Sequence, residues 1–251
     1  MEILGALLAG AFIGSVLGFV GAGGAMLSVP ILIYLFAFTP HHASTAALAI
    51  VFASATAGVI PKFKKGEVLL REGLTIWLLG MVANIGGSWV SRFISDSALL
   101  FGFSLVLISA ATTRWMKPPK QEQRRKIPLL LLIIFSLAIG LMTGLFGVGG
   151  GFLAIPILVK FFKTPLAKAT GTSLLIIALN CSTAFFAHAS SWKGISWQIP
   201  IIMALSAIII STLASQHSAK ISPLILRRSF SIVLLSIAAF TLIHTFLLSN
   251  S

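Results

Sequence analysis

Eight stretches of this chain, residues 3–20, 43–60, 73–91, 97–113, 127–146, 166–187, 195–215 and 229–248, are apolar over the roughly 20 residues that a helix needs to cross a bilayer. In hydrocarbon every backbone polar group must be bonded inside the fold, and runs of this length meet that demand as α-helices. Charged residues make up only 9% of the chain and hydrophobic ones 57%, which excludes an ordinary soluble enzyme. The expected fold is an all-α polytopic membrane protein. Two shorter apolar runs, 25–38 and 152–162, contain Pro30 and Pro156 and read as broken or partial helices. The run at 3–20 follows Met1-Glu2 without a basic segment and leads into glycines rather than a cleavage site, so it is kept in the fold. The single cysteine, Cys181, can form no intramolecular disulfide, and no Cys/His spacing suggests a metal, so no cofactor is expected.

The chain repeats itself. Residues 18–32 (GFVGAGGAMLSVPIL) reappear at an offset of 126 as 144–158 (GLFGVGGGFLAIPIL). Thr39-Pro40 is echoed by Thr164-Pro165, and Ala43 to Ala46 lies opposite Ala169 to Thr172. Each half is then a long helix, a glycine turn, a short Pro-containing helix and three more helices. The boundaries are 1–113 for the first transmembrane repeat, 114–126 for a basic cytoplasmic linker and 127–251 for the second repeat. Duplicated halves with interrupted helices characterise transporters, whose substrate sites lie where the repeats meet.

Lys and Arg number 18 against 5 Asp and Glu, a net charge of +13. In a soluble protein that would suggest a nucleic-acid partner; here it is a topology signal, and no nucleic acid is expected. If both short segments return the chain to the side from which the preceding helix came, all the basic residues except Arg92 and Lys193 share one face. That arrangement obeys the positive-inside rule and makes the halves inverted repeats, with both termini outside and the linker in the cytoplasm. Anionic lipid is the expected partner of the basic loops. The oligomeric state is left open, with a homodimer as one option.

Gly21, Gly23 and Gly24 form the first turn, and Gly147, Gly149, Gly150 and Gly151 the second. Glycine lets a ligand approach the backbone closely. Each turn opens a helix, where free N–H groups and the positive end of the helix dipole converge, a combination that binds anions. The alternative role is close helix packing, as small residues provide in bilayers.

The doubled G-x-G-G-[AG] turn followed by x-x-P-I-L, together with Trp192-Lys-Gly-Ile-Ser-Trp197, resembles the TauE/SafE sulfite exporter family over essentially the whole chain. The resemblance implies an inner-membrane permease, in a family associated with export or uptake of sulfite, sulfonates and related sulfur oxyanions. The first turn departs from the second in carrying Ala25 opposite Gly151, and His41-His42 stands where the second half has Ala167-Lys168.

Polar residues at bilayer depth are the other candidates. Ser44 and Thr45, with Thr170, Thr172 and Ser173, stand at the starts of the long helices that follow the short ones, where hydroxyls either cap the helix or donate to an oxyanion. Asn180 is the most polar residue inside a long run, and its amide suits an anion. Asn84 reads as a helix-packing residue and Cys181 as a small hydrophobe. All five acids lie at run ends or in loops, which argues against a buried cation site; His41, His42 and His188 are the candidates for proton linkage.

The expected function is potential-assisted permeation of a small anion by alternating access, the two glycine turns forming facing half-sites. Export of a monovalent anion gains about 2.3 kcal/mol per 100 mV of inside-negative potential. Two other functions compete: an intramembrane enzyme using His41, His42 or His188, and a non-transporting assembly protein. No H-E-x-x-H or G-x-S-x-G motif supports the enzyme.

Overall fold

A computed structural model describes residues 2–115, 128–160 and 162–218, with 232, 235–237, 239 and 241. The described residues are helical, joined by turns. The helices are α1 (Glu2–Val20), α2 (Gly24–Phe36), α3 (Pro40–Lys64), α4 (Leu70–Val90), α5 (Asp96–Trp115), α6 (Leu129–Phe146), α7 (Gly151–Lys160), α8 (Leu166–Ala187) and α9 (Gln198–His217). Six of the eight apolar runs coincide with helices long and apolar enough to span a membrane. The run 97–113 becomes α5, whose apolar stretch Asp96–Ala110 is shorter, and 229–248 lies outside the described residues.

Local chemistry sets the boundaries. Pro40 occupies the first turn of α3, where its missing N–H is no loss, and the Thr39 hydroxyl accepts from the N–H of His42. Gly147, at φ 69°, ends α6 in the left-handed conformation that glycine adopts without cost. The helices α2 and α7 occupy the two short runs but continue through Pro30 and Pro156 rather than breaking there. Each proline removes one N–H from the helix, and the remaining bonds hold it together.

Packing crosses between the halves. On α1, Gly10, Gly14 and Gly18 lie against Met203, Ala207 and Ser211 of α9, so close that a Cβ at Gly10 would collide with the Met203 backbone. On α6, Gly140 and Gly144 lie in the same way against Gly80 and Asn84 of α4. Glycines every fourth residue make a flat ridge on which two backbones meet, the usual way helices associate in lipid. Both pairs run parallel, since residue numbers rise together along each contact.

The same reasoning fixes the centre. The long helices α3 and α8 run antiparallel: Thr45 reaches His188 at one end, and Lys62 lies on Gly171 at the other. α3 is parallel to α9, from Ser54 beside Ser211 to Lys62 beside Ser218, and α4 is parallel to α8. Hence α1, α3 and α9 point one way and α4, α6 and α8 the other. The short α2 and α7 therefore carry the chain back to the side from which α1 and α6 came, as the charge distribution requires.

Candidate functional site

Both glycine turns are buried. Gly21, Gly23, Gly147, Gly149 and Gly150 all have φ between 62° and 94°, a region that side chains avoid, so the sequence must place glycine there. Gly24 and Gly151 are instead the first residues of α2 and α7. Each turn rests on the other half's long helix. A Cβ at Gly21 would lie 2.8 Å from Thr170 of α8, and one at Gly147 would lie 2.7 Å from the carbonyl of Ser44 on α3. Because α3 and α8 are antiparallel, these docking points stand at opposite ends of the pair, about 27 Å apart at 1.5 Å per residue along α8. The expected facing half-sites are thus not what this conformation holds: each turn is seated on a long helix rather than against the other turn.

The hydroxyls expected to serve a ligand are all engaged by protein. Ser44 donates to the Phe146 carbonyl at 3.5 Å, Thr170 to Ala167 at 2.8 Å, Thr172 to Lys168 at 2.7 Å and Ser173 to Gly151 at 3.2 Å. Thr172 also accepts from the N–H of Leu69, tying the start of α4 to α8. Two of these bonds, from Ser44 and Ser173, go to carbonyls bordering the second glycine turn. They tie α3 and α8 to the two ends of that turn.

Asn180 is fully buried where α4 crosses α8. Asn84 donates to its backbone carbonyl at 2.9 Å and its side-chain oxygen at 3.0 Å, while the Asn180 amide donates to Ile176. The residue expected to face a cavity is therefore part of a helix junction, as Asn84 was expected to be. Cys181 lies in an apolar cluster with Leu48, Val51 and Leu174, consistent with a small hydrophobe.

The three histidines collect at one end. His41 Nε2 lies 3.1 Å from the Ile94 carbonyl and 3.4 Å from Asp96. The His42 ring lies against Gly194. His188, following α8 and 5% exposed, has Nε2 3.1 Å from the Gly144 carbonyl and Nδ1 3.0 Å from the Thr45 hydroxyl. Burial pushes its pKa down to about 4; the bond to Gly144 opposes this, and Arg92 and His41 add to it. Among the described residues no three His, Cys, Asp or Glu side chains are grouped to hold a metal. The motif Trp192–Trp197 covers the same end, with Trp192 stacked on Phe185 at 4.6 Å and its Nε1 donating to the Phe185 carbonyl. Such aromatic rims mark a membrane interface.

Sequence reasoning missed Lys62. It stands just past the apolar run 43–60, where the sequence reads as a basic loop, yet its side chain is 3% exposed, with Nζ 2.8 Å from Glu67 and 2.6 Å from the Ser218 hydroxyl. The available signal was its position, 126 residues before His188.

Residues 6–241 match the family model described as sulfite exporter TauE/SafE. A protein of Xylella fastidiosa (strain 9a5c) is 28% identical over 243 residues, covering 93% of this chain and 92% of that protein. One from Methanocaldococcus jannaschii is 28% identical over 246 residues, covering 91% of each. Both carry the description probable membrane transporter protein.

Proposed function

The chain belongs to the TauE/SafE sulfite exporter family, and we propose from that premise that it is a permease for a small anion, a sulfur oxyanion or organosulfonate, working by alternating access. The observation that carries this reading is the pair of buried glycine turns at equivalent places in the two halves, each opening a short helix. Buried N–H groups at a helix start suit an anion, and transporters use half-helix ends in this way. The groups proposed to bind are the turn glycines Gly21, Gly23, Gly24, Gly147, Gly149, Gly150 and Gly151 and the hydroxyls of Ser44, Thr45, Thr170, Thr172 and Ser173, released from their carbonyls as the turns move.

We read the halves as inverted repeats, a reading supported by the antiparallel α3 and α8. Rocking of one half against the other about this pair then exposes the turns to opposite sides in alternation. The described residues give the positive-inside rule a clear side: Lys62, Lys64, Lys65, Arg71, Lys163 and Lys168 stand at the end where α3 finishes and α8 begins, and Arg92 and Lys193 at the other. On this reading the linker faces the cytoplasm and the protein sits in the inner membrane, which the positive-inside rule supports. An enzymatic role is disfavoured because His41, His42 and His188 are held by backbone and neighbouring side chains rather than grouped around a reactive centre.

Thermal unfolding in detergent tests the anion. Sulfite, thiosulfate or a small sulfonate at about 100 times its Kd should stabilise the protein by about 2.7 kcal/mol, and chloride salts of varied cations should not. In proteoliposomes, flux of that anion should follow an imposed potential. A protein that responds to none of these anions, or to cations instead, would overturn the reading.

A further inference from the structure

Among the described residues two basic side chains are buried, Lys62 and His188, and they stand one repeat apart. Each sits where the end of one long helix meets the start of the other, Lys62 on Gly171 of α8 and His188 on Thr45 of α3. Each also ties elements together. Lys62 joins α3 to Glu67 in the following loop and to Ser218 after α9, and Lys65 adds a bond to the Gln216 carbonyl. At the opposite end His188 joins α8 to α6 through Gly144 and to α3 through Thr45.

We propose that His188 is a proton-binding site and the latch of its end of the bundle: it takes up a proton when α3, α6 and α8 part and water reaches the ring, so acid on that side favours the open form. This rests on the alternating-access reading. The Gly144 carbonyl can only accept, which fixes a proton on Nε2, and the one hydroxyl proton of Thr45 has two acceptors at 3.0 Å, Nδ1 and the His41 carbonyl. A second proton, drawn from water, goes to Nδ1. Hydrogen bonding does not forbid it, because the Thr45 hydroxyl would then accept from Nδ1 and donate to the His41 carbonyl, 3.0 Å away.

What opposes the charge is the closed surroundings. Arg92, after α4, donates to the Ala187 carbonyl; α3 brings His41 and His42; the turn after α8 brings Lys193; and the carboxylate of Asp96 on α5 is turned to His41. α6 contributes a carbonyl. Opening removes the burial, so the proton binds the open form more tightly and shifts the population toward it. Lys62, by contrast, carries its counter-ion Glu67 with it.

Cys181, the only cysteine, reports the opening. It is buried two helical turns, about 10 Å, before His188, in the cluster with Leu48 and Val51 of α3. Its reaction with 4,4′-dithiodipyridine would be followed in detergent from pH 7.5 to pH 5, each rate divided by that of the SDS-unfolded protein at the same pH. The normalised rate should rise with acid, by up to about thirtyfold if the ring in the open form titrates as an exposed histidine. His188→Gln keeps one donor and one acceptor without a titrating proton and should flatten the profile, whereas His41→Gln should retain the rise. A flat wild-type profile, or a rise that survives His188→Gln, overturns the proposal. If His188→Gln does not fold, hydrogen exchange of residues 40–50 in the wild type decides: it must quicken, beyond intrinsic chemistry, over the same pH range. No transported ion is needed, so failure here leaves the anion reading standing, and absence of an anion response leaves the latch standing.

Discussion

Where α4 crosses α8, Asn84 donates to the Asn180 carbonyl; where α9 crosses α3, Ser211 donates to the Ser54 carbonyl at 3.0 Å. The supporting bonds correspond as well: Asn180 donates to Ile176 and Ser54 to Ile50, 126 residues earlier. The duplicated chain thus makes one junction twice, with amides in one copy and hydroxyls in the other. Only the amide copy adds a bond between side chains, Asn84 to the Asn180 oxygen at 3.0 Å. The two junctions share their backbone bonds and differ in their side chains, and the ends carrying Lys62 and His188 differ in the same way.

The glycine ridges should break this correspondence most severely. Gly144→Val would drive a branched side chain into the Asn84 carbonyl and the Ser88 N–H, and a loss of about 3 kcal/mol is expected, read as aggregation on size exclusion. Gly86, on α4 with nothing within 4 Å of an added Cβ, is the control; Gly86→Ala should be neutral or stabilise by up to about 1 kcal/mol.

Acid comes next and acts at the His188 end. His188 is held well below the value near 6.5 of an exposed histidine, so the unfolded chain takes up a proton there before the folded one does. Stability from this group is intact above about pH 6.5 and lost as the pH falls toward 4, by about 3 kcal/mol in total. His188→Gln should remove that part of the slope from a pH series of detergent melting temperatures.

The smallest effect is the most diagnostic of the two junctions. A double-mutant cycle on Asn84→Ala and Asn180→Ala should give a coupling of about 1 kcal/mol, within the range of side-chain hydrogen bonds in membranes. The cycle on Ser54→Ala and Ser211→Ala should give a coupling near zero, because Ser211 bonds the backbone of Ser54, which alanine retains.

Much of this was legible in the sequence. Apolar length announced the spanning helices, the 126-residue offset announced the duplication, and the glycines of 21–24 and 147–151 lie where positive φ demands them. Less legible was what each polar group touches. Ser44 and Asn180 look like free donors in sequence, and only packing shows that Phe146 and Asn84 engage them. Period-four glycines at 10, 14 and 18 are visible on inspection, but their partner, nearly 200 residues away on α9, is not. Lys62 hid for a further reason: a lysine beside Lys64 and Lys65 at a helix end reads as solvated, and burial became affordable only through Glu67 and Ser218.

The pairing of α1 with α9 also sets a timetable for biogenesis. The first helix is threaded into the membrane when most of the protein has not been made, and its glycine ridge has no surface to meet until Met203 to Ser211 emerge. At about 5–20 residues per second, translation leaves that helix waiting roughly 10–40 seconds. The seam along α1 therefore closes only once α9 has been made, and a chain that stops before α9 presents that seam unclosed to the quality-control machinery of the membrane.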